Sequence, residues 1–189
     1  SIQTALQSRD RSILENVLKL DDKVDILHEA ILEYLGDIRR ESLTDRQSQE
    51  FQSLMGATIN LEGLADVIET ELVELGKKII DRDLVVDEAT QLMYGEFTSK
   101  VTHAVEQVIK SIRESDEAAA EEVIRVKDVI RRLAYDALAQ QSKRIGATEG
   151  RNIEQIRLEF EVIDNLRRIY TLAKRIAKDF VPEQVAEKA

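Results

Sequence analysis

The chain has 189 residues, of which 43% are hydrophobic and 34% charged, with seven glycines, one proline and no cysteine. So few turn residues among so many helix formers exclude an all-β fold, and the lack of cysteine excludes disulfides, thiolate metal sites and thiol catalysis. A formal net charge of −10 argues against binding of nucleic acid or anionic lipid by the surface as a whole. No stretch approaches the roughly 20 apolar residues that span a bilayer, so we expect no direct membrane insertion by this chain.

Apolar residues recur at helical spacing along almost the whole chain. The first stripe comprises Leu20, Val24, Leu27, Ile31, Leu35 and Ile38, and the second comprises Leu54, Leu61, Leu64, Ile68, Leu72, Leu75 and Ile79. Each stripe predicts one helix face turned toward a core. Capping residues and glycines divide the chain into five predicted helices, over 10–41, 44–80, 87–114, 116–145 and 150–180. We therefore predict an all-α fold, a bundle of long antiparallel helices.

The sequence also contains an internal repeat. A shift of 106 residues places Val17–Leu20 on Val123–Val126, Asp10 on Asp116 and Leu27 on Leu133. A complete helix precedes Asp116, whereas only nine residues precede Asp10, so the first copy lacks most of its opening helix. We predict two three-helix repeats, over 1–86 and 87–182, followed by a polar tail over 183–189.

The shortened first repeat should leave an exposed groove beside its remaining helices. Four apolar positions near the start of the chain would need cover there: Ile2, Leu6, Ile13 and Leu14. An uncovered apolar surface of this kind favours self-association. The sequence therefore predicts a homodimer.

Two pairs of carboxylates are candidate metal ligands. Asp21 and Asp25 lie four residues apart on the first predicted helix, and Glu62 and Asp66 lie four residues apart on the second. Both pairs flank their apolar stripes in the same rotational sense and lie at matched distances from the hairpin loop, so all four should meet on one outer seam. Such a set suits a hard cation, Mg²⁺, Ca²⁺, Mn²⁺ or iron, with His28 as a peripheral ligand. A solvated acidic flank is the alternative.

The second repeat provides a contrast. Lys127 and Arg131 occupy the positions of Asp21 and Asp25, opposite Glu161 and Asp164, so ordinary ion pairs are expected there in place of a metal. His103 has no identifiable acidic or nucleophilic partner in the sequence and reads as a histidine at the edge of a core. With no phosphate-binding glycine loop and no hydrolase motif, nothing marks an enzyme or an organic cofactor.

These residues resemble the PhoU family. The resemblance rests on Leu20-Asp21-Asp22-Lys23-Val24-Asp25, on Asn60-Leu61-Glu62 through Asp66, and on the repeat. The sequence Glu161-Val162-Ile163-Asp164-Asn165-Leu166-Arg167-Arg168-Ile169 is similar, more specifically, to the PhoU-like cytoplasmic domain of bacterial sodium–phosphate cotransporters.

The resemblance implies a noncatalytic domain that regulates phosphate uptake. It implies a membrane-spanning part of the same polypeptide as partner, and a location at the cytoplasmic face of the bacterial inner membrane. In the PhoU family the E/DxxxD carboxylates bind metal, which points to Asp21, Asp25, Glu62 and Asp66 here. The chain begins at Ser1, with no export signal, which agrees with a piece of something longer.

Two other readings remain open. A free-standing PhoU-type regulator, which meets a phosphate transporter and a sensor kinase, would have a complete first helix and no membrane segments upstream. A di-metal four-helix-bundle enzyme would require inward-facing Glu-x-x-His motifs, which this chain lacks.

Overall fold

The structure is a computed structural model that describes residues 2–84, 88–147 and 153–186. Every regular element within these ranges is helical, which confirms the all-α prediction. The helices are α1 (Ile2–Ser8), α2 (Arg11–Arg39), α3 (Asp45–Asp66), α4 (Val73–Asp81), α5 (Glu88–Glu114), α6 (Glu117–Arg125), α7 (Lys127–Ala147), α8 (Ile153–Asp179) and α9 (Glu183–Ala186). A π-helical segment, Val67–Leu72, joins α3 directly to α4.

Local chemistry explains where the first long helices begin. The Asp10 carboxylate accepts a hydrogen bond from the Ser12 backbone N–H at 2.9 Å and so caps α2. At α3, the Thr44 hydroxyl accepts from the Gln47 backbone N–H while the Gln47 side chain accepts from that of Thr44. Both arrangements satisfy N–H groups that have no partner inside the helix.

The second predicted helix, 44–80, contains the π-helical segment that the sequence analysis did not foresee. The Val73 backbone N–H donates to the Ile68 carbonyl, five residues back instead of four. At the start of the segment the Thr70 hydroxyl donates to the Asp66 carbonyl at 2.7 Å. In a regular α-helix this carbonyl would accept the Thr70 backbone N–H instead. The wider turn changes the phase of α4 relative to α3.

The fourth predicted helix, 116–145, is interrupted at Val126, which separates α6 from α7. Next to the interruption, the buried Tyr170 of α8 donates its hydroxyl to the Val123 carbonyl at 2.9 Å. The last long helix, α8, ends at Asp179, and Pro182 precedes the short α9, so part of the predicted polar tail is helical. Residues 187–189 of that tail lie outside the described residues.

The helices form two unequal cores. The main core joins the α3 side of the first hairpin to α5, α6, α7 and α8, around Phe97, Ile163 and Ile176. A smaller cluster holds α1, α2 and α4 together around Ala5, Leu14 and Val73. Helix α2 packs mainly on α1, α3, the π segment and α4, and so forms one edge of the bundle.

The two repeats share backbone geometry at the predicted offset. The Asp10 N–H donates to the Ala5 carbonyl, and the Asp116 N–H donates to the Ser111 carbonyl, 106 residues further on. By this correspondence α1 matches the last turns of α5. The first repeat therefore has α1 where the second has the complete, 27-residue α5.

One prediction about the first stripe was wrong. Leu20, Leu27 and Ile31 do not face a core but are 57%, 60% and 43% exposed. Leu35 is the buried member of the stripe, and Leu14, outside the stripe, is the other buried residue of this helix. Ile2 and Ile13 pack against buried Leu14, so three of the four positions expected to need cover already have it. The uncovered apolar surface lies further along α2.

Candidate functional site

The candidate site lies where α2 passes the end of α3 and the π segment. On α2, Asp21 is partly buried and Asp25 is exposed. Across from them, Asp66 is the last residue of α3 and Glu69 lies in the π segment. We call Asp21, Asp25, Asp66 and Glu69 the acidic cluster, because the charges of the other three act on Asp21.

Asp21 is the residue that shows this interaction. Its pKa is raised, first because partial burial removes water from the carboxylate and then because of the negative charges of Glu69, Asp25 and Asp66. Both effects disfavour the ionised form. The cluster therefore concentrates negative charge at a place where the solvent screens it incompletely.

The structure groups the predicted ligands partly as expected. Asp21, Asp25 and Asp66 interact, and Glu62 lies one helical turn before Asp66 and is partly buried. Glu69 was missed by the sequence analysis, although it follows Asp66 by three residues and so continues the same helix face. The available signal was the spacing 62, 66, 69.

His28 lies seven residues after Asp21 on α2, which puts it on the same side of the helix two turns away. Its Nε2 atom is buried and makes no hydrogen bond within the described part of the chain. Unpaired buried polar atoms are costly and usually indicate a partner that the protein chain does not supply. This side of α2 therefore carries a buried polar atom for which the described residues supply no partner.

The acidic cluster is not preassembled as a coordination sphere. Among residues 2–84, 88–147 and 153–186, no three His, Asp or Glu side chains are grouped so that they could hold a metal ion as they stand. Binding of a cation would require carboxylates of α2 and α3 to turn toward a common point. The metal site remains a prediction.

The ion pairs that Arg131, Glu161 and Asp164 form in the second hairpin lie within single helices, whereas the expected pairs ran between the two helices. Arg131 pairs with Asp128 at 3.1 Å on α7. On α8, Arg157 pairs with Glu161 and Arg167 with Asp164. These pairs are mostly exposed and contribute little to stability.

The expectation that His103 has no acidic partner was wrong. Its Nε2 lies 2.9 Å from Oε1 of Glu122 on α6. The contact with His103 is the main reason why the pKa of Glu122 is lowered. The pair joins α5 to α6 at a partly exposed position, which agrees with a structural role at the edge of the core.

A separate cavity of about 400 Å³ lies between α1, α4, α5 and α8. Its wall is mostly aliphatic, with Leu75, Leu158 and Val162 among the lining residues. At its polar end Gln155 donates to Oε1 of Glu159 at 2.9 Å, and the Tyr94 hydroxyl donates to the Glu159 carbonyl at 3.0 Å. The polar groups there are bonded to one another.

No helix among the described residues is both long enough and apolar enough to cross a lipid bilayer.

Comparison with known proteins supports the fold. Residues 95–180, which run from α5 to the end of α8, match the family model of the PhoU domain. The structure is similar to the crystal structure of PhoU from Pseudomonas aeruginosa, with a TM-score of 0.87 and 16% sequence identity, over 100% of this chain and 88% of that chain. No curated protein sequence matches the chain. The chain thus has the PhoU helical-bundle fold.

Proposed function

We propose that this chain is a noncatalytic PhoU-type regulatory domain of phosphate uptake, and that it acts as part of a sodium-dependent phosphate cotransporter. The observation that carries the proposal is the PhoU-domain match over residues 95–180, in a chain whose complete fold is that of a PhoU protein. The cotransporter context rests on the sequence similarity from Glu161 to Ile169. In this arrangement the domain lies at the cytoplasmic face of the inner membrane, next to the membrane-spanning part of the same polypeptide.

A free-standing PhoU-type regulator is the second candidate. It is favoured by the extent of the structural match, since the chain covers 88% of the P. aeruginosa PhoU. The two candidates differ in what the gene encodes before residue 1. Membrane-spanning helices in the same reading frame would support the cotransporter, and a start codon immediately upstream would support the free-standing regulator.

A regulatory role predicts a specific effect of deletion. Cells that lack this domain should take up radiolabelled phosphate at an altered maximal rate but with a little-changed substrate KM, because the sequence contains no phosphate-binding glycine loop. A control strain that carries a transport-dead membrane part should show no uptake with or without the domain. Unchanged uptake at both high and low external phosphate would contradict the regulatory role.

We also propose that a hard cation binds next to the acidic cluster, with Asp21, Asp25 and Asp66 of the cluster and the neighbouring Glu62 as ligands and His28 nearby. Two observations support it: the pKa of Asp21, which is raised by burial and then by the neighbouring carboxylates, and the buried Nε2 of His28, which has no hydrogen bond among the described residues. Oxygen ligands suit Mg²⁺, Ca²⁺, Mn²⁺ or iron, and the cation would relieve the repulsion.

The cation test compares two double variants with the same loss of charge. Titration with each of the four metals should raise the melting temperature of the parent chain, by an amount equivalent to about 2.7 kcal/mol at a hundredfold excess over Kd. Asp21→Asn with Asp66→Asn should abolish the rise. Glu161→Gln with Asp164→Asn, on the second hairpin, should leave it intact. Equal rises in both variants, or none in the parent, would refute the site.

A further inference from the structure

We propose that the groove between α7 and α8, on the second hairpin, binds a small ligand that carries two or more linked phosphate groups. The proposal depends neither on the cation site nor on the transporter context. It rests on the side chains that line the groove, on the charge of the equivalent positions in the first repeat, on the lysines gathered at one end of the groove, and on the weakness of the competing ion pairs.

The groove is small and is lined by positive charge. Its volume is about 280 Å³, close to the smallest volumes typical of small-molecule sites. Three cationic side chains line it from two helices, Lys127 and Arg131 from α7 and Arg167 from α8. The rest of its wall is apolar, aromatic or hydroxyl-bearing and includes Ile130 and Tyr135. No carboxylate is among the described residues that line it, so the groove favours an anion.

The spacing of the three cations suits a short chain of phosphates. Lys127 and Arg131 are four residues apart on α7, which places them on one side of the helix about 6 Å apart along its axis. An arginine fork can donate two parallel hydrogen bonds to one phosphate, and a lysine adds a point charge. Two or three linked phosphates supply enough acceptors for all three groups within so small a groove. An acidic peptide is a poorer fit, because neighbouring side chains of an extended chain point in opposite directions.

The first repeat has the opposite charge at the equivalent positions. At the offset of 106, Lys127 corresponds to Asp21 and Arg131 to Asp25, the two aspartates of the acidic cluster on α2. Two negative side chains in one repeat are thus replaced by two positive side chains in the other. The two hairpins share a backbone arrangement but present surfaces of opposite sign, so a cation suits the first and an anion the second.

Lysines gather at the Lys127 end of the groove. The pKa of Lys174 on α8 is lowered, first by partial burial and then by the positive charges of Lys127 and Lys178. Both effects disfavour the charged ammonium group, and an anion bound nearby would offset them. This end of the groove therefore concentrates positive charge in a chain whose formal net charge is −10.

Two carboxylates beside the groove compete for its arginines, but only weakly. Arg131 pairs with Asp128 at 3.1 Å, and the two side chains are 76% and 77% exposed. Arg167 lies 3.9 Å from Asp164, at the outer limit of an ion pair. Exposed pairs of this kind contribute little to stability. A ligand with several phosphates can therefore engage both arginines without disrupting a buried contact.

The first test is isothermal titration calorimetry with inorganic triphosphate, in a metal-free buffer because triphosphate chelates divalent cations. The parent chain should bind, and its affinity should fall as sodium chloride is raised, because exposed charges are screened. Lys127→Gln with Arg131→Gln should weaken binding about tenfold or more, since each substitution removes charge-assisted contacts. No binding to the parent at millimolar triphosphate would overturn the proposal.

Lys19→Gln with Lys23→Gln is the matched control. These lysines are also four residues apart and exposed on a long helix, α2, and their loss changes the net charge by the same amount. The control should bind triphosphate like the parent, and circular dichroism checks that every variant keeps its helix content. On α8, Arg167→Gln should weaken binding about threefold or more, whereas Arg168→Gln, an exposed neighbour outside the groove, should not. Equal losses in groove variants and controls would mean nonspecific attraction and would refute the site.

Titrations with ATP and with adenosine identify the source of the phosphates, since inorganic and nucleotide ligands share the proposed chemistry. Tyr135 lines the groove and is 70% exposed, so it offers a ring on which a base can stack. Tighter binding of ATP than of triphosphate, with the difference removed by Tyr135→Ala, would identify a nucleotide. Equal affinities that Tyr135→Ala leaves unchanged would identify an inorganic ligand. Adenosine or a polyglutamate peptide that binds as tightly as triphosphate would contradict the need for linked phosphates.

Discussion

Arg9 and Ser115 lie 106 residues apart and have the same left-handed backbone, with φ of 55° and 53°. Each residue ends a helix and directly precedes an aspartate that caps the next helix, Asp10 in one case and Asp116 in the other. Non-glycine residues rarely adopt this conformation, so its occurrence at both equivalent places is structural evidence for the internal repeat.

The two capping aspartates should make stability depend on acid. Hydrogen bonds lower the pKa of both: Ser12 is the main cause at Asp10, and Lys110 followed by the Ala119 N–H at Asp116. Because the pKa in the folded state lies below that of the unfolded chain, their contribution is present at neutral pH and is lost as the pH falls through the lowered pKa.

Asp116→Asn is the informative variant for this effect. It retains an N-cap but loses the charge that Lys110 contacts at 2.7 Å. Urea unfolding at pH 7 and near pH 3 should show that the stability difference between the parent and Asp116→Asn shrinks in acid. A difference that is the same at both pH values would contradict the assignment.

Asp21 should have the opposite effect on the metal-free protein. Its raised pKa means that ionisation favours unfolding, so its contribution is most favourable below the ordinary value of 3.8 and is lost as the pH rises through the raised pKa. In the presence of a chelator, Asp21→Asn should therefore raise the melting temperature at pH 7. The gain should disappear near pH 3. There the Asp21 carboxyl group of the parent is mostly protonated, so it is neutral like the amide that replaces it in the variant. Glu29→Gln, an exposed carboxylate on α2, is the control and should change little.

Tyr170 should titrate at higher pH than an ordinary tyrosine. Burial, with a smaller effect of Asp128, raises its pKa from 10.0 to about 12. Since the unfolded chain loses this proton first, stability should fall between about pH 10 and about pH 12. Absorbance near 295 nm should resolve the late phenolate, and Tyr170→Phe should remove it. At pH 7 the same variant should cost about 1 to 3 kcal/mol, because the Val123 carbonyl loses its donor.

Two glycines in helix interiors should respond differently to the same substitution. A Cβ at Gly36 of α2 would meet nothing within 4 Å, so Gly36→Ala should stabilise the chain by about 0.5 to 1 kcal/mol. A Cβ at Gly76 of α4 would lie 3.2 Å from Cδ1 of Leu14, which is fully buried and cannot move aside. There we expect alanine to give no gain and Gly76→Val to destabilise the chain. Chemical denaturation of the three variants checks the order, and a stabilising Gly76→Val would show that the α2–α4 contact is loosely packed.

The sequence predicted the helices well because each has a long periodic stripe, but a stripe identifies a face and not what the face contacts. The stripe of α2 was assigned to a core, yet Leu27 is 60% exposed. The π segment was missed because periodicity does not show that Val67 and Val73, at its two ends, are buried in two different cores.

The candidate site was predictable to the extent that it depends on spacing within one helix. The i, i+4 pairs gave Asp21, Asp25 and Asp66, which the structure brings together. The effect of Glu69 on Asp21 and the burial of His28 Nε2 depend on how α2 packs against the π segment. The contact between His103 and Glu122 likewise joins two different helices. These relationships depend on the rotation of packed helices, which composition and periodicity do not specify.

The unequal size of the two cores should divide the chain into parts that open independently. Among the described residues, the small cluster contains three fully buried apolar residues, Ala5, Leu14 and Val73, whereas the main core extends across five helices, α3, α5, α6, α7 and α8. Amide hydrogens of α1 and α2 should therefore exchange with deuterium through local opening, at far lower cost than those of α8, which require global unfolding. The π segment contacts both cores, so we expect the boundary between fast and slow exchange to lie there, with α1, α2 and α4 as the part of the bundle that opens first.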